Sequence, residues 1–419
     1  MQSKPLVAIL GGGYGGIRAA LDLGKTRRAR VLLIDKNRYH TLPSQFYELG
    51  SLFRKEDRAA TREEFRKLFH SAAIPYADIF QKYGDIEFIE AAVEAVEPEL
   101  ALVMLKGGRQ VKYQWLVVAL GSQTNYFNIP HLERNAIGFK SIEEVFNIRD
   151  RIDELFYSTP KHKKITVVVG GGGVTGCEFA SELVGYMQKL SKTHSRPVGA
   201  WSCVLVEASQ NVLGASSPWI QQKARSRLHK LGVTILTESL IVDVWPGLIY
   251  IGGERRSLGY DLLVWTAGVK GAYENEIIRG ILPEKKNCLS VGTALEVKQH
   301  SNIFAIGDIA ASQDSLTGAF LPMTAQKAVY EGAYVAMAIN RLIQNPQKQI
   351  ERYQPKRSSY IIPLGGKYAL LETPHLHLSG FAVWILKYIV LLRYLLSILP
   401  PAKALRLMLR ELALYTRND

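Results

Sequence analysis

Cysteine is scarce in this chain of 419 residues, which carries only Cys177, Cys203 and Cys288. Their spacing matches neither a metal site nor a CxxC motif, which argues against a zinc centre and a redox dithiol. So few cysteines also argue against a disulfide framework and fit a reducing compartment. The first apolar run begins at residue 6, which leaves no room for a signal peptide. We therefore expect a cytosolic protein without a metal centre.

Acidic residues are also in short supply, at 38 against 52 basic residues, and the formal net charge is +14. Such an excess favours an anionic partner, which is nucleic acid, phospholipid or a dinucleotide. Zinc-ligand spacing and aromatic-basic RNA signatures are both missing, which argues against nucleic acid.

The length and a hydrophobic content of 47% suit two or three globular domains rather than a disordered protein.

Glycine, by contrast, is patterned, and a GxGxxG turn follows the apolar run at residues 6–10. Gly11 allows a tight turn, Gly13 lets the backbone approach a pyrophosphate, and Gly16 permits close helix packing. The next strand ends in Asp35, whose carboxylate suits an adenosine ribose. A structural βαβ turn without a ligand is the alternative, but strand, glycines, helix and acid in register favour a dinucleotide site.

A second fingerprint follows the strand predicted at residues 165–169, with its glycines at Gly171, Gly173 and Gly176. The strand after it ends in Glu207, which would bind both ribose hydroxyls of NADH and repel the 2′-phosphate of NADPH. No arginine or lysine follows until Lys223, so the pattern favours NADH. A solvated strand end is the alternative for Glu207, and its place at the tip of the second strand disfavours it.

Each unit closes in the same way, with a buried strand and a turn of small residues at Gly121 in the first and Gly268 in the second. Repetition of the whole unit predicts a duplicated dinucleotide-binding architecture. Two nucleotide sites in one chain indicate an enzyme that passes electrons between two nucleotides.

A further strand, at residues 302–306, ends in Gly307 and Asp308. With these residues the chain resembles the two-dinucleotide flavoproteins of the glutathione-reductase-like fold, in which such an aspartate holds the ribitol of FAD. The resemblance implies an α/β fold with two Rossmann-like domains and a C-terminal amphipathic helical membrane-docking segment. The implied domains are an FAD-binding domain at 1–122 and 285–350, an NADH-binding domain at 123–284, and a docking or dimerisation region at 351–419.

Within that superfamily the chain resembles the type II NADH dehydrogenases over essentially its whole length. An ordered set of segments carries the resemblance: Asp35, Tyr39-His40, Phe46-Tyr47-Glu48, residues 173–178, 267–271 and 321–326. It implies a respiratory-chain enzyme that moves a hydride from NADH to tightly bound FAD and two electrons to a membrane quinone, without pumping protons. Sulfide:quinone oxidoreductases share the architecture but need cysteines near the flavin, and disulfide reductases need CxxxxC; this chain has neither pattern. A soluble reductase of a ferredoxin-like carrier is a further alternative, in which the C-terminal tail would be an interaction surface.

The resemblance also implies roles for single residues near the flavin. A helix is predicted to begin near Pro322, and Ala325 lies at its start. The resemblance implies that this helix start points at the flavin pyrimidine, where backbone N–H groups would stabilise negative charge. Gln326 would meet the quinone, and Tyr330 stands where the family commonly has a second glutamine; helix packing is an equally good interpretation of Tyr330. Glu178 matches an acid near the nicotinamide and flavin, although a first-turn acid also complements a helix dipole.

The C-terminal tail is apolar at 380–399 and basic-amphipathic after Pro400-Pro401. Lys387 and Arg393 argue against a transmembrane span, because each costs about 3 kcal/mol near the bilayer centre. We expect a monotopic dock on anionic phospholipid at the cytoplasmic face of the cell membrane; a dimer interface or a cover over the core is the alternative. The resemblance implies a homodimer and places Lys387 at the quinone channel, whereas snorkelling along apolar surface is a simpler account.

Overall fold

A computed structural model describes residues 4–52, 68–252, 256–273, 277–315, 317–356 and 360–415. Its first strands are β1 (Leu6–Leu10), β2 (Arg30–Asp35), β3 (Tyr39–Thr41), β4 (Ala73–Pro75), β5 (Ile86–Glu90), β6 (Val93–Glu97), β7 (Leu102–Leu105), β8 (Gln110–Lys112), β9 (Trp115–Val118), β10 (Ser122–Thr124), β11 (Ile137–Gly138) and β12 (Ile165–Gly170). Then follow β13 (Trp201–Val206), β14 (Thr234–Leu236), β15 (Ile241–Trp245), β16 (Leu248–Ile251), β17 (Arg256–Gly259), β18 (Leu262–Trp265), β19 (Val269–Gly271), β20 (Glu296–Val297), β21 (His300–Ala305), β22 (Ile361–Pro363), β23 (Ala369–Thr373) and β24 (Leu376–Gly380).

The α-helices within those ranges include α1 (Tyr14–Thr26), α2 (Phe46–Leu49), α3 (Tyr76–Phe80), α4 (Leu132–Asn135), α5 (Ile142–Ser158), α6 (Val174–Thr193), α7 (Pro218–Leu231), α8 (Ala325–Gln344), α9 (Phe381–Ile398) and α10 (Pro401–Tyr415). The chain divides into two compact units. One comprises Met1–Thr41, Ala73–Gln123 and Val269–Ser358; the other comprises Leu42–Ala72, Thr124–Gly268 and Ser359–Asp419.

The first unit is built on a six-stranded sheet in the order β20-β21-β9-β1-β2-β5. All of its strands except the edge strand β20 pair in parallel. The residues of β1 after Leu6 are apolar and buried, as expected of a strand covered on both faces. The antiparallel sheet β6-β7-β8 packs its buried valines against this core.

The second unit repeats the design with a five-stranded sheet in the order β11-β18-β12-β13-β14, paired in parallel throughout. Its fingerprint helix α6 follows β12, as α1 follows β1 in the first unit. Two antiparallel sheets, β15-β16-β17 and β22-β23-β24, complete this unit. Two parallel sheets, each with a strand–turn–helix fingerprint, confirm the α/β fold with two Rossmann-like halves.

The predicted elements agree closely with the structure at the fingerprints and less well at the start of helix α8. β1 spans the predicted residues, but helix α8 begins at Ala325 rather than at Pro322. The Thr324 side chain accepts a hydrogen bond from the Lys327 N–H and caps the helix, which leaves Pro322 outside the first turn. The placement of Ala325 at the helix start is unaffected.

The two compact units do not coincide with the predicted domain boundaries. Residues 42–72 and 359–419 belong with the second fingerprint, and residues 269–284 belong with the first. Parts of the predicted 351–419 region, namely 357–359 and 416–419, lie outside the described residues. Which nucleotide each unit binds stays a prediction.

The C-terminal region folds as the pair of helices that the sequence predicts. Among the described residues, α9 alone is long and apolar enough to cross a membrane by length and composition, and about a third of it is buried. Proline at the first position of α10 suits a helix start, since its missing N–H would have no partner there.

Candidate functional site

The first fingerprint forms the tight turn that its glycines predict. Gly11 has a φ of +100°, and a side chain on it would collide with the Ala119 carbonyl. A side chain on Gly16 would collide with the Gly11 carbonyl oxygen, so this glycine lets the helix pack onto the turn. Both glycines are therefore required by the protein's own backbone.

Gly13 and Gly173 need a different explanation. Each caps its fingerprint helix with a negative φ, which any residue can adopt, and no atom lies within 4 Å of the position a Cβ would take. Neither strain nor crowding within the described residues requires glycine there. The open space at both positions agrees with the sequence-based expectation that a pyrophosphate approaches the helix N-terminus closely.

Asp35 ends β2 beside this turn. Its carboxylate accepts hydrogen bonds from the Gly12 N–H at 2.6 Å and from the Asn37 N–H at 2.8 Å. Tyr76, which is buried, also hydrogen-bonds this carboxylate, and burial followed by the negative charge of Asp35 raises the pKa of the tyrosine. The sequence gives no local signal for Tyr76, because α3 lies 41 residues further along the chain.

Three more predicted positions lie at the same edge of the first sheet. Gly121 follows β9, Gly307 and Asp308 follow β21, and these strands run parallel to β1. The Ser122 hydroxyl donates to the Asp308 carboxylate at 2.5 Å. The carboxyl edge of a parallel sheet is where ligands bind in doubly wound folds. The structure thus brings together the residues predicted for the first nucleotide.

Helix α8 packs directly on the first fingerprint helix, because a side chain on Gly332 would collide with the Gly15 carbonyl oxygen. On the solvent-facing side of its first two turns, the Gln326 amide donates to the Tyr330 hydroxyl at 3.0 Å. The Lys356 ammonium lies 5.2 Å from the centre of the Tyr330 ring, a cation–π contact that the sequence does not predict. Tyr330 therefore has polar partners rather than a packing role alone.

The second fingerprint reproduces the first. Gly171 has a φ of +109°, and a side chain on Gly176 would collide with the Gly171 carbonyl oxygen. Glu207 accepts from the Gly172 N–H at 2.6 Å, the counterpart of the contact that Asp35 makes. Gly268 follows β18 at the same edge of this sheet, where a Cβ would come within 2.9 Å of Phe127.

Glu178 and Lys387 both belong to the second unit. Lys387 lies in a group of hydrogen-bonded, buried side chains, which we call the charge cluster. The Lys387 ammonium donates to the Glu48 carboxylate at 2.6 Å and to the Tyr47 hydroxyl at 2.7 Å. Tyr388 donates to the same oxygen of Glu48 at 3.4 Å. Because Lys387 is only 9% exposed and paired in this way, its interpretation as a lysine snorkelling along apolar surface is wrong.

Two carboxyl groups near this cluster have raised pKa values. Burial, with Glu48 and Glu182 nearby, raises the pKa of Glu178 to about 8, although Lys387 acts against the rise. Burial also raises the pKa of Glu411 on α10, with Glu48 again contributing. Within the described residues, neither carboxylate oxygen of Glu411 accepts a hydrogen bond. At neutral pH the cluster can therefore store a proton on Glu178.

The cysteines lack the features of sulfur-transfer residues. All three are buried, unpaired thiols, and burial raises their pKa values, to about 12 for Cys203. Nucleophilic cysteines need a lowered pKa and access to solvent. Core packing is the interpretation that the structure supports.

Comparison with known proteins agrees with this geometry. A type II NADH:quinone oxidoreductase of Haemophilus influenzae is 27% identical over 84% of this chain and 83% of that protein. The demethylphylloquinone reductase of Synechocystis is 26% identical over 93% of this chain and 92% of that protein. These relatives confirm the resemblance to type II NADH dehydrogenases.

Solved structures match the fold. NDH2 of Plasmodium falciparum in complex with NADH superposes with a TM-score of 0.84 at 19% identity, covering 99% of this chain and 98% of that one. The sulfide:quinone oxidoreductase of Aquifex aeolicus gives a TM-score of 0.74 at 18% identity, covering 92% and 89%. Residues 5–332 match the family described as pyridine nucleotide-disulphide oxidoreductase. The chain belongs to the pyridine nucleotide-disulphide oxidoreductase family.

Proposed function

We propose that the chain is an FAD-dependent NADH:quinone oxidoreductase that works on a membrane surface without pumping protons. The observation that carries the proposal is the duplicated fingerprint, in which a carboxylate accepts a hydrogen bond from the Gly12 N–H in one turn and from the Gly172 N–H in the other, in a chain whose relatives are named for this activity. When bound, FAD accepts a hydride from NADH and passes two electrons to a quinone.

We assign FAD to the first unit. Gly11, Gly13 and Gly16 bring the N-terminus of α1 to the pyrophosphate, and Asp35 accepts from the adenosine ribose. Asp308, held by Ser122, accepts from the ribitol, while Gly121 and Gly307 form the turns beside it. The N–H groups at Ala325 stabilise negative charge that develops at the helix start. Gln326 and Tyr330 offer hydrogen bonds to quinone oxygens.

We assign NADH to the second unit. Gly171, Gly173 and Gly176 hold its pyrophosphate, and Gly268 forms the turn that closes the site. Glu207 accepts from the ribose hydroxyls, and its negative charge disfavours the 2′-phosphate of NADPH. Glu178 holds a proton at neutral pH and is the acid that we assign to quinone reduction, with Lys387 setting the charge around it.

The spectrum of the purified protein tests these assignments. We expect the absorbance bands of bound flavin, loss of those bands on anaerobic addition of NADH, and their return on addition of a short-chain quinone. NADPH is expected to act more slowly, because Glu207 opposes its extra phosphate.

Absence of flavin, or a flavin that NADH does not reduce, would refute the assignment. Reduction by sulfide together with no reduction by NADH would support the sulfide:quinone alternative, against which the three buried cysteines argue. Equal rates with NADPH would contradict only the role of Glu207.

We also propose that α9 and α10 dock on anionic phospholipid. Seven large apolar side chains on them are each at least 39% exposed: Phe381, Ile385, Ile389, Val390, Leu396, Leu405 and Leu409. Arg393 and Arg406 are exposed on the same helices and suit a negative surface. Buried, unpaired cysteines agree with a reducing compartment and hence with the cytoplasmic face.

Glutamate at both Ile389 and Leu409 is expected to weaken binding to vesicles of phosphatidylglycerol and phosphatidylcholine roughly 100-fold or more. The reason is the loss of about 2 kcal/mol of apolar burial per side chain. Flotation with vesicles measures the bound fraction.

The matched control places glutamate at Leu240 and Val242, which are exposed elsewhere in the same unit. Equal loss of binding in both double variants would refute a specific docking face. A second copy of the chain is the rival occupant. Light scattering that shows a dimer broken by the Ile389/Leu409 change, in a protein that never binds vesicles, would assign this face to the homodimer instead.

A further inference from the structure

Two charged residues on the first two turns of α8 hold both backbone groups of Gly307. The Lys327 ammonium donates to the Gly307 carbonyl at 2.8 Å, and the Glu331 carboxylate accepts from the Gly307 N–H at 2.6 Å. The two side chains also form an ion pair at 3.3 Å. Glu331 accepts a further hydrogen bond from the Ser312 hydroxyl at 2.6 Å. We call this arrangement the Gly307 clasp.

The clasp is buried, which makes stability a poor explanation for it. Lys327 is 6% exposed and Glu331 is fully buried. Taking two charges out of water costs several kcal/mol each, and apolar residues of similar size often stabilise a core as well or better. A buried ion pair with complete hydrogen bonding instead fixes one geometry. The geometry fixed here is the turn at Gly307, whose φ is +71°.

That turn carries Asp308, and the clasp ties it to the start of α8. Asp308 and the helix start at Ala325 are the two parts of the first unit that the proposed function places against the flavin. We propose that Lys327 and Glu331 are positioning residues for FAD, which hold the Gly307-Asp308 turn and the N-terminus of α8 as one rigid arrangement. The inference rests on the proposed function, because it takes FAD as the ligand of this unit.

The test measures the dissociation constant of FAD from the holoenzyme for three variants: Lys327→Met, Glu331→Ala and Glu331→Gln. Each variant loses hydrogen bonds between a charged group and the Gly307 turn, so we expect FAD to bind at least about tenfold more weakly in Lys327→Met and Glu331→Ala. Glu331→Gln is expected to be intermediate, because an amide can keep the contacts with Gly307 and Ser312 and loses only the ion pair with Lys327.

A second readout separates positioning from plain stability. Added FAD raises the melting temperature by binding the folded state, and weaker binding reduces that gain. We expect a smaller FAD-dependent gain in the variants and an unchanged dissociation constant for NAD⁺, measured by calorimetry. Glu351→Gln is the control, because Glu351 forms a surface ion pair with Arg341 of α8. This substitution is expected to change neither the FAD-dependent rise in melting temperature nor the dissociation constant for NAD⁺.

Two results would overturn the clasp. One is an FAD dissociation constant within about twofold of the unmodified chain in Lys327→Met and Glu331→Ala. The other is an equal loss of melting temperature with and without added FAD. If the unmodified chain itself binds no FAD, the proposed function fails. If the unmodified chain binds FAD, NADH reduces that FAD, and the variants bind FAD as tightly as the unmodified chain, only the clasp proposal fails.

Discussion

Replacing Glu178 with glutamine is expected to slow reoxidation of the flavin by quinone by about 100-fold or more, while reduction by NADH changes little. The quinol that forms holds two hydrogens: the reduced flavin carries one of them, received as hydride from NADH, and the second must come as a proton from an acid, whereas hydride transfer from NADH to the flavin needs no proton. Glutamine keeps the size of the side chain and removes the proton that a pKa of about 8 holds on Glu178 at neutral pH. Stopped-flow absorbance measures the two half-reactions separately.

The pH dependence of the same step follows from the raised pKa. Glu178 carries its proton below about pH 8 and loses it above, so the rate of quinone reduction is expected to fall as pH rises through about 8. Glu178→Gln has no such group, and its slow rate is expected to lack this step. The control is Glu182→Gln, since Glu182 lies one turn further along α6 and contributes to the high pKa of Glu178.

Removal of the Glu182 charge is expected to lower the pKa of Glu178 and move the fall in rate to lower pH. The maximal rate of quinone reduction by Glu182→Gln at low pH is expected to stay close to that of the unmodified chain. A Glu178→Gln enzyme that reduces quinone at the normal rate would show that Glu178 is only a first-turn acid complementing the helix dipole. Equal slowing of both half-reactions would point to a distorted NADH site instead.

The nucleotide turns were predictable from the sequence because their chemistry is local. Strand, glycines and helix lie within one short segment; Asp35 ends the next strand of its sheet, and Glu207 directly follows the next strand of the other sheet. The backbone rules that require glycine at Gly11 and Gly171 hold wherever such a turn occurs. The same local reasoning misplaced the start of α8, since the capping role of Thr324 competes with the preference of proline for a first helical turn.

The charge cluster and the clasp were not predictable in this way. Lys387 and Glu48 meet across 339 positions of the chain, and no periodicity links them. Glu411 looks like an ordinary polar residue of an amphipathic helix, yet it is fully buried. Lys327 and Glu331 have the spacing of a surface ion pair, and only the fold shows that they enclose Gly307. Burial decides the role of each of these residues, and burial of a charged residue is a tertiary property.

Replacing Lys387 with methionine is expected to destabilise the folded protein by about 3–5 kcal/mol at neutral pH, because it leaves the buried Glu48 carboxylate without its cation. The double variant Lys387→Met/Glu48→Gln is expected to recover most of that loss, since neither charge is then buried. Denaturant unfolding of the holoenzyme at neutral pH measures the free energy of unfolding of each variant.

The matched control for Lys387 is Arg393→Met, which removes the same charge from the exposed side of the same helix. It is expected to change stability by no more than about 0.5 kcal/mol. If Lys387→Met is as stable as Arg393→Met, the pair with Glu48 contributes nothing, and the lysine lies at the surface. If the double variant is no more stable than the single one, Lys387 stabilises the cluster through Tyr47 and its helix packing rather than through its charge.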